Sequence, residues 1–203
     1  EQAVIVPIYR TDSKADVIAY AERLKAELKD AGIRVVTDLD DTSTPGWKFA
    51  EWELRGVPLR IEAGPRDMEA GKAVLVRRDT GEKIIADAAG IASRVRELLD
   101  AVQKNLYDRA KAFRLDNTRD VADDEEMKAF FGKAGDDSES TVSARGGFAR
   151  ALWCGSPECE ARLKADIKVT LRCMPLDDQK DVSGACALCN SAARHRAVFA
   201  RNY

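Results

Sequence analysis

Four cysteines in two short pairs could do the most definite chemistry in this chain. Cys154-Gly-Ser-Pro-Glu-Cys159 and Cys186-Ala-Leu-Cys189 are separated by 26 residues. Close pairs across such a gap form a closed four-thiolate cage. Zn²⁺, being tetrahedral, borderline-soft and redox-inert, prefers that cage. Such a site keeps no open coordination position, so its expected role is structural, not catalytic. Gly155 and Gly184 stand beside the pairs, where small residues let backbone N–H groups approach sulfur. Cys159 falls near the start of a predicted helix, whose dipole favours a thiolate. The fifth cysteine, Cys173, stands alone in LRCMP and is expected as a core thiol. His195 is the only histidine and lies in the basic run Arg194-His195-Arg196, which places it at the surface and not among the ligands.

A second constellation runs from Trp47 to Asp67 and holds Lys48, Glu51, Glu53, Arg55, Arg60, Glu62, Arg66 and Asp67. Cationic and carboxylate side chains interleaved on a strand and turn suit the reading of base edges. Arginine or lysine donates to guanine O6 and N7, and a carboxylate accepts from amino groups of an unstacked base. A solvated face with surface ion pairs carries the same pattern, and Trp47 and Trp52 fit a core or an interface as well as a stacking platform. Other catalytic signatures are missing: no Gly-rich phosphate loop, no serine elbow, and no triad spacing around the single histidine. Cys154 as a nucleophile would lack a base.

The elements that must position these residues read in order. Residues 3–8 (AVIVPI) are apolar on both faces, as a buried central strand is. Ser13 and Asp16 suggest a capping box opening a helix. Its apolar face is Val17, Ala21, Leu24, Leu28 and Ala31, and Gly32 ends it. Residues 33–37 form the next strand, giving a parallel βαβ unit. Residues 45–56 predict a helix opened by Pro45 and closed by Gly56, and 57–62 a half-exposed strand. Residues 64–71 form a turn or single helical turn. Strands at 73–78 and 82–87 flank Asp79-Thr80-Gly81 as a hairpin. Ile91, Val95, Leu98, Val102 and Leu106 line a helix reaching about Phe113. Residues 116–145, with Asp123-Asp124-Glu125-Glu126 and a Gly/Ser/Asp stretch, read as linker or irregular surface with a short helix at 124–131. The cysteine unit then carries a helix near 156–166 and strands near 168–173 and 196–200.

The 203 residues suffice for one large or two small domains, and 45% hydrophobic with 33% charged residues marks a folded globular chain. The net charge of −2 announces no nucleic-acid partner, so one must meet a local surface. No apolar run approaches a membrane span, and residues 1–8 have neither the basic start nor the cleavage site of a signal peptide. A reducing, cytoplasmic setting is expected, where paired cysteines read as metal ligands before disulfides. The opening at Glu1, directly into a strand, suggests a piece of something longer.

VIVPIYR at 4–10, PGWKFAEWELRGVPLRIEAGPRDMEAG at 45–71 and the four-cysteine module ending in Tyr203 closely resemble the prolyl-tRNA synthetases of archaeal and eukaryotic type. The resemblance covers nearly the whole chain. It implies an α/β fold: a class II anticodon-binding domain over residues 1–113, a mixed β-sheet flanked by helices, then a small α+β zinc-binding domain over 114–203. It implies anticodon readers at Glu53, Arg60, Arg66, Asp67 and Lys83, and structural Zn²⁺ on Cys154, Cys159, Cys186 and Cys189. The implied partners are proline tRNA and a catalytic domain, the full-length enzyme being a homodimer. That catalytic domain, with its ATP and Mg²⁺, is not in this chain, so the fragment alone should be inactive. The acidic and Gly/Ser/Asp run at 123–139 is longer than the family needs. Tyr203 would reach towards the catalytic domain. Two other readings fit the residues: a freestanding tRNA-binding or regulatory protein reusing such a domain, and a zinc module that only braces a partner.

Overall fold

The computed structural model describes residues 1–132 and 147–201. The stretch 133–146 and the terminal Asn202 and Tyr203 lie outside the described residues, and with them the expectations on the Gly/Ser/Asp run and the C-terminal tyrosine. The chain divides into two compact units, Glu1–Arg109 and Ala110–Tyr203.

The first unit is built on five strands, β1 (Ala3–Pro7), β2 (Val35–Thr37), β3 (Leu59–Ala63), β4 (Lys72–Arg77) and β5 (Lys83–Asp87), in the order β2-β1-β3-β4-β5. β1 pairs in parallel with β2 and β3, and the other pairs are antiparallel. Four helices accompany them: α1 (Lys14–Asp30), α2 (Pro45–Leu54), α3 (Pro65–Glu69) and α4 (Ile91–Asp116). β1, α1 and β2 are the parallel βαβ unit that the periodicity predicts. On one sheet face, Ile5, Leu59, Ile61 and Leu75 pack with Tyr20, Leu24 and Leu28 of α1 and Ile91, Val95 and Leu98 of α4. On the other face, Val4 and Val6 lie with Phe49 and Trp52 of α2. Burying each such side chain contributes about 1.5–3 kcal/mol.

Three local expectations change. Ser13 precedes α1 in a helical conformation without capping it, because its hydroxyl bonds back to the Arg10 carbonyl. β3 is the middle strand and not a half-exposed one. The buried stripe of α4 stops at Val102, and Leu106 is exposed. The β4–β5 hairpin is fixed at its turn. Asp79, its side chain fully buried, accepts from Arg77 at 2.7 Å and from Asn105 of α4 at 2.6 Å. Gly81 takes the left-handed backbone this turn requires, φ +71°.

Among the described residues, the second unit has four strands, β6 (Thr118–Asp120), β7 (Phe148–Trp153), β8 (Val169–Cys173) and β9 (His195–Arg201), in the order β6-β7-β9-β8. β6 runs parallel to β7, and the other pairs are antiparallel. Helices α5 (Asp124–Phe131) and α6 (Pro157–Ile167) contribute Met127, Phe131, Leu163 and Ile167 to a core with Ala151, Trp153, Val169 and Phe199. The stretch expected as linker with a short helix at 124–131 holds that helix, α5, and in addition the strand β6. Its acidic run is the start of α5: Asp123 accepts the Glu126 N–H at 2.9 Å, and Glu126 accepts the Ala122 N–H at 2.8 Å. Among the described residues, no helix is long and apolar enough to cross a membrane.

Candidate nucleic-acid interface and metal centre

Arg60 and Glu62 are two apart on β3, so both side chains leave the same sheet face, the face that α2 covers over Val4 and Val6. The Arg60 guanidinium lies 4.0 Å from the centre of the Phe49 ring. Its Nη1 donates to Glu53 at 2.8 Å, Nε donates to Glu62 Oε1 at 3.1 Å, and Nη2 stands 3.0 Å from the same oxygen. The second carboxylate oxygen of Glu62 stands 3.7 Å from Lys83 Nζ on β5. A continuous chain results: Glu53, Arg60, Glu62, Lys83. Its middle is buried, Arg60 being 11% and Glu62 10% exposed, and its ends are open, Glu53 at 55% and Lys83 at 61%. The four formal charges cancel. The surface therefore offers alternating donors and acceptors, not a net positive field. Exposed Ile85 stands two residues from Lys83 on the same side of β5.

α2 is held in place from beneath. Thr44 caps it, and Pro45 supplies its first turn. Lys48, buried, reaches the Asp38 carboxylate and carbonyl, each at 3.2 Å, and Trp52 Nε1 donates to the same carboxylate at 2.7 Å. Burial alone would raise the Asp38 pKa. Hydrogen bonds from Trp52, the Asp40 backbone and Lys48 outweigh it and hold the carboxyl below its ordinary value. Trp47 is exposed, and Trp52 packs beneath the helix.

Three of the five expected readers, Glu53, Arg60 and Lys83, thus come together through Glu62. Arg66 and Asp67 stand on α3 beyond the end of β3. Asp67 accepts the Gly64 N–H at 2.9 Å, and Arg66 is exposed. Among the described residues, no hydrogen bond or ion pair joins either to the network. Glu62 was one charge among eight in the sequence. Its signal was position: it alternates with Ile61 on a strand, two residues after an arginine.

In the second unit, Cys154 follows β7, Cys159 lies in the first turn of α6, and Cys186 and Cys189 belong to the loop before β9. Their four sulfurs lie within 4.8 Å of one another. Cys154 Sγ is 3.7 Å from both Cys159 Sγ and Cys189 Sγ. Thiolates bonded about 2.3 Å from a tetrahedral Zn²⁺ stand about 3.8 Å apart, so the cage fits that ion. Backbone holds the loops: Cys186 N–H donates to the Ser191 carbonyl at 2.7 Å and Ala187 N–H to the Leu152 carbonyl at 2.9 Å. Gly184, at φ +122°, passes where a Cβ would meet Leu152 Cδ1 at 2.9 Å. Burial and neighbouring thiols push Cys159 up to about 12, whereas hydrogen bonds from Ser191 draw Cys189 down to about 6. A cation at the centre removes the penalty on the buried thiolates. The four cysteines could hold a metal ion. His195 is half-buried and packs against Gly155 outside the sulfur group. Cys173 is exposed, not a core thiol, because it ends the edge strand β8 beyond an irregularity at Leu171.

The mixed sheet with its helices, and a second unit with four sulfurs that could hold a metal ion, define a two-unit α/β protein. The chain belongs to the anticodon-binding domain family, whose model matches residues 2–105. A second family model, prolyl-tRNA synthetase C-terminal, matches residues 136–203. The whole chain is 43% identical to the proline–tRNA ligases of Rubrobacter xylanophilus and Thermococcus kodakarensis, and 41% identical to that of Chloroherpeton thalassium. It spans 39 to 40% of the length of those relatives.

Proposed function

We propose that this chain is the tRNA-reading part of a prolyl-tRNA synthetase. Residues 1–113 act as the anticodon-binding domain, and residues 114–203 as a zinc domain that performs no chemistry. The observation that carries this reading is the charge-balanced chain Glu53–Arg60–Glu62–Lys83, which reaches solvent at Glu53 and Lys83, in a member of an anticodon-binding family. Proline anticodons contain two guanines. A guanine edge offers O6 and N7 to arginine or lysine donors, and its N1–H and amino group to a carboxylate. Arg60 and Lys83 supply the donors, Glu53 the acceptor, and Arg66 and Asp67 the contacts at the far end of β3. Exposed Ile85 gives an unstacked base an apolar surface.

Zn²⁺ is the ion for Cys154, Cys159, Cys186 and Cys189. It would supply four metal–sulfur bonds that hold the two loops to α6, and no reactivity. Joining proline to tRNA, with ATP and Mg²⁺, belongs to the part of such a ligase outside this chain. The whole enzyme would work as a cytoplasmic homodimer.

The test is binding of proline tRNA against the same tRNA with both anticodon guanines replaced. The native tRNA should bind more tightly, and Arg60→Ala should weaken it by about 1–3 kcal/mol and relax the discrimination. Equal affinities for the two tRNAs would refute the base-reading role.

A further inference from the structure

We infer that Glu62 is the positioning residue of the reading surface: it sets the orientation of Arg60 and its spacing from Lys83, and so sets discrimination without touching a base. The inference rests on the anticodon-reading proposal above.

A carboxylate on the middle strand of a sheet is a costly thing to bury. Well-packed apolar side chains of similar volume stabilise such a position as well or better. Glu62 is nevertheless buried there, and its two oxygens are divided between two cations. Oε1 takes Nε and Nη2 of Arg60, side-on. The same guanidinium lies over the Phe49 ring, 4.0 Å from its centre. The ring and the side-on carboxylate together restrict how Arg60 can turn. Nε and Nη1 are then engaged by Glu62 and Glu53, and N–H groups remain on both terminal nitrogens. Two N–H groups in a fixed fork are what a bidentate contact to a base edge requires. Oε2 faces Lys83, whose flexible stem is otherwise free to sweep the surface. Without Glu62, Arg60 keeps one ion-pair partner, the exposed Glu53, and Lys83 loses its anchor.

The experiment compares two synthetic anticodon stem-loop RNAs, one with the two guanines and one with adenines in their place. The ratio of their Kd values is the readout. Glu62→Gln keeps the volume and removes the charge. Glu62→Asp keeps the charge, shortens the reach, and serves where the first variant does not fold cooperatively. In either variant the ratio should fall about tenfold, the size of one lost bidentate contact. Affinity for the adenine hairpin should change little. General loosening of the domain would weaken both hairpins alike and leave the ratio untouched, so an unchanged ratio overturns the inference. A wild-type chain that does not distinguish the hairpins overturns the anticodon-reading proposal itself.

Discussion

At the scale of single residues, Asp38 does more for the proposed reading surface than its place in an acidic loop suggests. Its carboxylate holds both Lys48 and Trp52, and through them the helix that carries Phe49 and Glu53. Asp38→Ala leaves a buried ammonium without its partner. The expected loss is about 3–5 kcal/mol, read from urea unfolding of the chain. The pH dependence has a definite sign. The folded-state pKa of Asp38 lies below its ordinary value. Its contribution is therefore whole at neutral pH and is lost as pH falls below about 4 towards the folded-state pKa. Wild-type stability should decline there more steeply than that of Asp38→Ala. Parallel declines would remove Asp38 from the account.

At the scale of elements, the two cysteine loops are part of the core of the second unit. Cys159, Cys186, Ala187 and Leu188 pack in one cluster with Trp153 and Leu163. Binding of the proposed Zn²⁺ would then be coupled to folding. Cys186→Ser should abolish stoichiometric zinc and unfold α6 and β9, seen as lost amide protection in hydrogen exchange. Cys173→Ser, at an exposed position, should change neither zinc content nor protection. A Cys186→Ser protein that retains both would defeat the structural-zinc reading. The cage was legible in the sequence because ligand spacing is local chemistry. Of the strands in that unit, β8 and β9 were legible, and β6 and β7 were not. Thr118-Arg119-Asp120 has no apolar residue, and becomes β6 only because β7 lies alongside. In β7 the inward positions before Trp153 are Ala149 and Ala151, too small to give a clear alternation.

At the scale of the whole molecule, the same division holds for the reading site. Strands and helices of the first unit followed from apolar periodicity, to within a few residues. The network did not. Its members lie on α2, β3 and β5, and only the tertiary fold shows that Glu62 joins them. With a net charge of −2 and a charge-balanced network, the chain has little long-range attraction for RNA. Affinity for proline tRNA should fall with added salt, but with a shallow slope, roughly two or three phosphate contacts' worth. A slope as steep as that of a protein neutralising about six to ten phosphates would show a basic footprint that these residues do not describe.

The hairpin that carries Lys83 is fastened at its turn, where Asp79 bonds Arg77 and Asn105 of α4. The consequence is kinetic. A loop that must order itself around RNA adds a slow step after encounter. A hairpin already ordered in the free chain adds none. Recognition as proposed would then proceed as a single collision-limited event, with wrong anticodons rejected by fast departure, not by slow entry.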